Sequence, residues 1–378
     1  MTESMAATGE GTSRRRVATT RPVEWIGLYV VSIAVALTFS ALLVEATGGE
    51  WWPVMEALLD GSVAGPSRWG QTLGAAAPLL LVALGTIVSG RAGLVNIGQE
   101  GQLLVGTAFA VYFGFLIGGP GPINIVLLLT FGALGGAVWA GLAGVLRFWR
   151  GVPEVLSTLL LVTVASQAVA YGLKNEWLLL AGEANRGNRN QVSEQLGADN
   201  RLPELHLFGN DIPSSVFIAL AAAVLVGFAL SRTVWGFRLS MLGRNPRAAR
   251  RVGVSQERFG MMAMAISGAM AGLAGAAMLA GGGFQFGNYR LVPGFSGNIG
   301  WTGLLVALVA RERALIAIPV AFAFAALRTG SGFVSSTGVE SRITDVMQGF
   351  LVLALLVPPA VMFLRDRARA RASSAART

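Results

Sequence analysis

Cysteine is absent from the sequence, and histidine occurs once, at His206. Disulfides, thiol nucleophiles and cysteine-ligated metal are therefore excluded, and a histidine metal centre has too few ligands. Charge is scarce too: Asp, Glu, Lys and Arg make up 13% of 378 residues, where soluble domains carry about a quarter. A GxxxxGK(S/T) phosphate loop is missing, so the chain hydrolyses no nucleotide by that route. With 53% hydrophobic residues and a mean hydropathy of +0.61, the chain has too little polar surface to cover itself in water. Its solvent is lipid over much of its length.

What is abundant is glycine, 50 residues, together with alanine. Small residues let helix backbones approach closely in lipid. Apolar runs at about 25–44, 69–89, 102–118, 122–146, 153–173, 214–231, 259–280, 300–310, 314–327 and 343–364 predict an all-α polytopic membrane protein of about ten transmembrane helices. The first run is long enough to span and is read as an uncleaved helix, not a signal peptide. The runs at 300–310 and 314–327 are short for a straight span, and imply extension by their flanks or a re-entrant course.

The net charge of +9 carries a topology signal. With the N-terminus in the cytoplasm and ten alternating spans, 21 of the 29 basic residues fall inside. Both termini are then cytoplasmic. The basic residues are dispersed between apolar segments, which speaks for membrane lipid and against nucleic acid as a partner. The expected organisation is a disordered basic tail over 1–22, a transmembrane domain over 23–364 and a second basic tail over 365–378. Within the domain lie an acidic outer loop, 174–213, and an arginine-rich inner loop, 232–258.

One polar run interrupts the apolar chain: GRAGLVNIGQEGQLL, residues 90–104. It places Asn96, Gln99, Glu100 and Gln102 near the start of a span. Two readings are open. Asn96 and Glu100 cap a helix start beside its positive end, or the run is a broken helix whose polar groups line a path. The run EVLSTLLLVTVASQ offers Glu154, Ser157 and Thr158 as further path residues, although hydroxyls are readily satisfied by their own helix backbone. FQFGNYRLVPGFSGNIGW concentrates Phe284, Phe286, Tyr289 and Trp301; it is either an interfacial aromatic belt or a wall suited to a flat solute. Gly268 and Gly272, like Gly132 and Gly136, are spaced for helix packing.

The inner loop contains NPRAARRVGVS. Asn245–Pro246 reads as a helix start and Gly253 as its stop. Arg247, Ala248 and Ala249 then lie on a short helix, with the two alanines forming a smooth flank for a partner's groove.

Several of these stretches resemble one family. GLVNIGQEGQLLVG is similar to the NIGxEGQ signature of permease subunits of bacterial ABC importers for nucleosides and simple sugars, relatives of the branched-chain amino acid and ribose permeases. GVPEVLSTLLL resembles their EVIxTxML segment. GRNPRAARRVGV with SGAMAGLAGA, and GNIGWTGLLVALVA, resemble three further motifs in the family's order, over about 70–355. The chain departs from the nucleoside group at LVTVA, where an asparagine is usual, and in a polar insert from Asn185 to Arg201.

The resemblance implies an importer-type permease fold with short or broken helices and no cofactor in this chain. It implies a second permease chain, identical or homologous, and cytosolic ABC ATPases that bind ATP and Mg. An extracytoplasmic solute-binding protein, often a lipoprotein, would deliver the solute. It assigns Asn245, Arg247, Ala248, Ala249 and Gly253 to ATPase coupling and the 90–104 run to the pathway. The solute is then a nucleoside or related molecule, with sugar, inositol or branched-chain amino acid as the alternative. A rival of another class is a proton-coupled secondary transporter using Glu100 or Asp345. An intramembrane enzyme lacks any Ser/His, His/Glu or paired-acid constellation.

Overall fold

The computed structural model describes residues 21–65, 67–117, 121–182, 191–282 and 289–334, with scattered positions from 337 to 365. Two compact units are present: residues 1–51 with 338–378, and residues 52–337. In the first, helix α1 (Arg21–Ala46) is the expected first span, and Phe39 and Phe350 bring their rings to 6.0 Å. The expected 1–22 tail lies outside the described residues up to Arg21, as does the tail beyond Arg365.

The second unit is a helical bundle. Its elements are α2 (Trp51–Leu59), a π-helical turn (Asp60–Ala64), α3 (Arg68–Arg91), α4 (Gln99–Ile117), α5 (Gly121–Arg150) and α6 (Glu154–Gly172). After a non-helical stretch come a 3-10 turn (Ala198–Asn200), strands β1 (Glu204–Leu207) and β2 (Asn210–Pro213), and α7 (Ser215–Arg232). Helices α8 (Val234–Arg244), α9 (Pro246–Arg251), α10 (Gln256–Ala280), α11 (Ile299–Val309) and α12 (Ala314–Val334) complete it.

The fold is an all-α polytopic membrane protein with, among the described residues, one small hairpin. Among the described residues, seven helices are long and apolar enough to cross a membrane, and α11 is a shorter apolar helix. Burial separates core from periphery. In α3 and α10, 78% and 67% of the spanning window is buried, against 28% in each of α5, α6 and α7. The peripheral helices turn apolar side chains outward, as α5 does with Ile123, Val126, Leu134 and Val138. That pattern suits a surrounding of lipid or partner helix, where a water-soluble protein would place charge.

Glycines decide how the core helices cross. A Cβ on Gly272 of α10 would lie 2.0 Å from the Gly132 carbonyl oxygen of α5, and one on Gly136 would lie 2.1 Å from the Gly268 carbonyl oxygen. A Cβ on Gly106 of α4 would lie 2.4 Å from the Gly272 Cα. Three helices thus meet backbone to backbone at one level, as the spacing of these glycines predicts for two of them.

Several features differ from the sequence expectation. Helix α12 runs on to Val334, past the polar residues Arg328, Thr329 and Ser331, because their side chains bond inside: Arg328 Nη2 donates to the Gly297 carbonyl at 2.7 Å and Thr329 Oγ1 to that of Ala325 at 3.0 Å. The outer loop folds on itself. Residues 204–213 form an antiparallel hairpin that pairs Leu205 with Ile212 and His206 with Asp211. Val192, Ser193 and Leu196 of the supposed insert are buried, and Ser193 and Leu196 donate backbone N–H bonds to the carbonyls of Leu291 and Tyr289. The 185–190 part of that insert lies outside the described residues.

Gly272→Leu is expected to force α4, α5 and α10 apart and to destabilise the bundle by at least about 1–3 kcal/mol, the usual cost of overpacking. Gly141→Leu, on the same α5 but with nothing within 4 Å of its Cβ position, is expected to be neutral. Thermal unfolding of the two variants in detergent checks this; equal melting temperatures would remove the crossing as the organising contact.

Candidate functional site

Helix α3 ends at Arg91, Gly93 turns the chain at φ +75°, and α4 begins only at Gln99. The intervening segment is not helical, yet Leu94, Asn96 and Gly98 are buried. A broken backbone inside an apolar bundle needs internal partners. The polar run supplies them. Asn96 Oδ1 accepts from the Gly98 N–H at 3.0 Å and from Gln102 Nε2 at 2.9 Å. Asn96 Nδ2 donates to Gln102 Oε1 at 2.9 Å and to Ser267 Oγ of α10 at 2.9 Å. Gln99 is satisfied with Nε2 donating to the Val82 carbonyl at 2.8 Å and its oxygen accepting from Thr86 Oγ1 at 2.7 Å and Ser267 Oγ at 3.2 Å. The Ile97 N–H is taken by Thr158 Oγ1 of α6 at 3.3 Å. Amides from the break thus tie α3, α4, α6 and α10 together.

Glu100 points elsewhere. Its Oε2 accepts from the Gly300 N–H at 2.7 Å, in the first turn of α11. Asn298, the residue before α11, sits at φ +65° and gives no side-chain cap. The carboxylate therefore serves as the cap and counter-charge for a helix 200 residues away in sequence. The contact requires glycine: a Cβ at position 300 would lie 2.3 Å from the Glu100 backbone nitrogen.

The other candidate path residues are dispersed. Glu154 pairs with Arg147 Nε of α5 at 3.0 Å, and Ser157 is buried with its hydroxyl on the Glu154 carbonyl at 3.2 Å. Trp301 is half-buried beside Gly300, while Tyr289 lies at the other end of the unit, on the wall of a cavity. Phe284 and Phe286 lie outside the described residues. Thr86, Ser267 and Gly300 were passed over in the sequence because each is a small residue in an apolar span. Only their place opposite the 96–102 run gives them a role.

At the end of the bundle that holds the C-terminus of α3, the inner loop forms α8 and α9. Asn245 Oδ1 accepts from the Ala248 N–H at 3.1 Å, Pro246 opens α9, and Gly253 at φ +80° ends the turn that follows. One expectation is corrected. The two alanines do not form a common outward flank: Ala248 is exposed, but Ala249 is 0% exposed and packs on Leu242 and Val254. A six-residue helix stays seated on the chain only by burying a side chain, and Ala249 is the one that does so. Exposed on α9 are Pro246, Arg247, Ala248, Arg250 and Arg251. The platform beneath α8 is the break itself, since a Cβ on Gly243 would lie 2.4 Å from the Arg91 carbonyl oxygen.

Lipid-grade helices around a buried, hydrogen-bonded break define a polytopic membrane protein. Residues 70–356 match the family described as branched-chain amino acid transport system / permease component, and the chain belongs to that family. The guanosine ABC transporter permease protein NupP of Bacillus subtilis is 29% identical, over 91% of this chain and 97% of that protein. The nucleoside ABC transporter permease protein NupB of Lactococcus lactis is 24% identical, over 92% of this chain and 95% of that protein. A glucose ABC transporter permease protein of Haloferax volcanii is 30% identical over 77% of each chain. The protein is thus a multi-pass permease of the cytoplasmic membrane, and such permease components are not themselves enzymes.

Glu100→Ala removes the acceptor of a buried N–H and is expected to cost about 1–3 kcal/mol. Glu100→Gln retains an acceptor oxygen and is expected to cost less. Thermal unfolding ranks them, and an alanine variant as stable as wild type would contradict the capping role. Ala249→Leu is expected to loosen α9 by about 1–3 kcal/mol through overpacking, with Ala248→Leu neutral; amide hydrogen exchange over 242–254 distinguishes the two.

Proposed function

We propose that this chain is the translocation subunit of an ATP-driven importer for a nucleoside or a related sugar-bearing solute. Separate cytosolic ATPases would bind ATP and Mg, a second permease chain would complete the pore, and an extracytoplasmic binding protein would deliver the solute. Both termini and α9 would face the cytoplasm, in line with the arginine bias.

The observation that carries this reading is α9: a short, capped helix whose exposed side carries three arginines and Ala248, resting through α8 on the backbone break. A rigid knob of this kind fits a partner's groove, and its arginines can meet carboxylates there. Gly253 returns the chain sharply toward the membrane. Near-complete length coverage of guanosine and nucleoside permeases supports the solute class. In this reading Asn96, Gln99, Glu100 and Gln102 brace the helices beside the pathway. Docking force on α8 would reach the Arg91–Gly98 break and, through Glu100, the start of α11.

The proton-coupled alternative draws less support from its two candidate acids: Glu100 Oε2 accepts from the Gly300 N–H, and Asp345 is exposed. Reconstituted vesicles decide between them. Guanosine uptake is expected only with partner ATPase and ATP present, and is expected to resist a protonophore. Ala248→Trp is expected to cut solute-stimulated ATP hydrolysis at least severalfold while leaving the chain folded. Gradient-driven uptake by this chain alone would overturn the proposal.

A further inference from the structure

Helix α11 is joined to α12 by a turn whose residues resist its conformation. Arg311 and Glu312 are consecutive non-glycine residues at φ +53° and +55°. In that region Cβ crowds the backbone carbonyl, so a pair of such residues persists only where the surroundings fix it. Three contacts fix this one. The Glu312 N–H donates to the Ala307 carbonyl at 3.1 Å, and the Glu312 carbonyl accepts from Arg91 Nη2 at 3.2 Å. The side chain, half-buried, lies so close to α3 that a Cβ on Gly90 would be 2.7 Å from its Oε1. We propose that Arg91 is a positioning residue for transport: it latches the α11–α12 turn to the seat of α8, and movement of α8 opens the latch and frees the C-terminal end of α11. The proposal deepens the importer reading and rests on it for what moves α8.

The latched state is strained on both sides of the bond. Arg311 and Glu312 are left-handed, and Arg91 Nε is buried with no hydrogen-bond partner among the described residues. An unmet buried donor is costly. Both deficits would be relieved if the turn let go, since the two residues could return to negative φ and the guanidinium could reach water. What keeps Arg91 in place is α8. A Cβ on Gly243 would lie 2.4 Å from the Arg91 carbonyl oxygen and 2.8 Å from the Gly93 nitrogen, so the two backbones touch without slack. Leu239 and Leu242, both buried, hold α8 to that seat. A shift of α8 toward the break must therefore displace Arg91.

The other end of α11 shows what the latch would free. A Cβ on Gly303 would lie 2.4 Å from Val82 Cγ1, and Gly90 meets Glu312 further along, so α11 and the last turns of α3 run side by side in the same direction. Before α11, Asn298 forms a left-handed joint at φ +65°, and Glu100 holds the Gly300 N–H there. Helix α11 is thus an 11-residue rod between two left-handed joints. Both joints are held by residues that flank the same break, Arg91 before it and Glu100 after it. Release at Arg91 alone lets the rod pivot about Asn298, because the Glu100 contact is kept. Arg91 touches no solute in this scheme; it acts by holding Glu312.

Amide hydrogen exchange on the purified full chain in lipid nanodiscs tests the latch. The Arg311 and Glu312 amides report on it, since they donate to the Leu308 and Ala307 carbonyls. Arg91→Gln is expected to speed their exchange severalfold and to leave the Gly300 amide, at the other joint, unchanged. Gly243→Ala lies on α8, away from the turn, and is expected to speed the same two amides. Leu239→Ala, which loosens α8 and does not crowd it, replaces that variant should it misfold. Adding Glu312→Gly, which accepts the left-handed φ without a latch, is expected to restore slow exchange. A second readout is one that a merely structural residue would not move. Glu312→Gly alone is expected to melt no lower than wild type, yet to slow ATP-driven guanosine uptake severalfold in vesicles with the partner ATPase, because an unstrained turn does not release. Unchanged exchange of the two amides in Arg91→Gln or in the α8 variant would overturn the proposal. So would a uniform rise from Ile299 to Glu312, which would mean general loosening, or wild-type uptake by Glu312→Gly. The exchange arm needs neither ATP, partner nor solute, so its failure is separable from failure of the importer reading in vesicles.

Discussion

A broken backbone inside an apolar bundle has to find its own hydrogen-bond partners, and the rest of this structure is arranged around that need. Between Arg91 and Gln99 the chain leaves the helix; Gly93 and Val95 are exposed, but Leu94, Asn96 and Gly98 remain within the core. Water cannot satisfy the freed groups there, and each unmet group costs free energy of the order of its desolvation. Asn96 and Gln102 pair their amides with each other, Ser267 and Thr86 close the remaining valences, and Thr158 takes the Ile97 N–H. The same side chains that solve this local problem bind four helices. Every member has a partner, so the network also fixes one arrangement of those helices.

Glu100 extends the constraint to α11. That helix starts from a left-handed Asn298 with no cap of its own, and the carboxylate fills the deficit. A charge in this interior is tolerable because it meets a helix N-terminus, where backbone N–H groups point outward and the peptide dipoles favour an anion. Gly300 is what lets it come so close. The small residues of α5 and α10 act in the same spirit elsewhere in the bundle, since their missing side chains allow the carbonyls of one helix to face the backbone of the next.

The two ends of the unit serve different chemistry. At one end α8 rests on the break and α9 stands out as a basic knob with a single inward anchor, Ala249. At the other, the hairpin rests on the start of α3 beside a cavity of about 370 Å³. Helix α3 runs the whole distance between them, most of it buried, with Ser67 and Gly70 by the cavity and Arg91 by α8.

Much of the architecture was legible in the residues themselves. Lipid-length apolar runs, glycines four apart and the Asn–Pro start with its Gly stop each encode a local preference that the fold keeps: spanning helices, close crossings and a short capped helix. These rest on hydropathy, side-chain size and backbone dihedrals, which a sequence states directly. The polar run at 90–104 announced that something unusual sits in the membrane, but its meaning depended on partners at Thr86, Thr158, Ser267 and Gly300. None of these is unusual in its own segment. Ala248 and Ala249 are neighbours of the same size, and one is exposed while the other is fully buried, because helix phase against Leu242 and Val254 is a property of the packed loop. The hairpin at 204–213 has charged and apolar residues on opposite faces, yet its seat was decided by packing, with the Asp211 backbone set against Gly70. The sequence by itself determined which segments enter lipid and where backbones meet. Only the tertiary structure decided what each buried polar group bonds to, because hydrogen-bond partners far apart in the chain are chosen by packing.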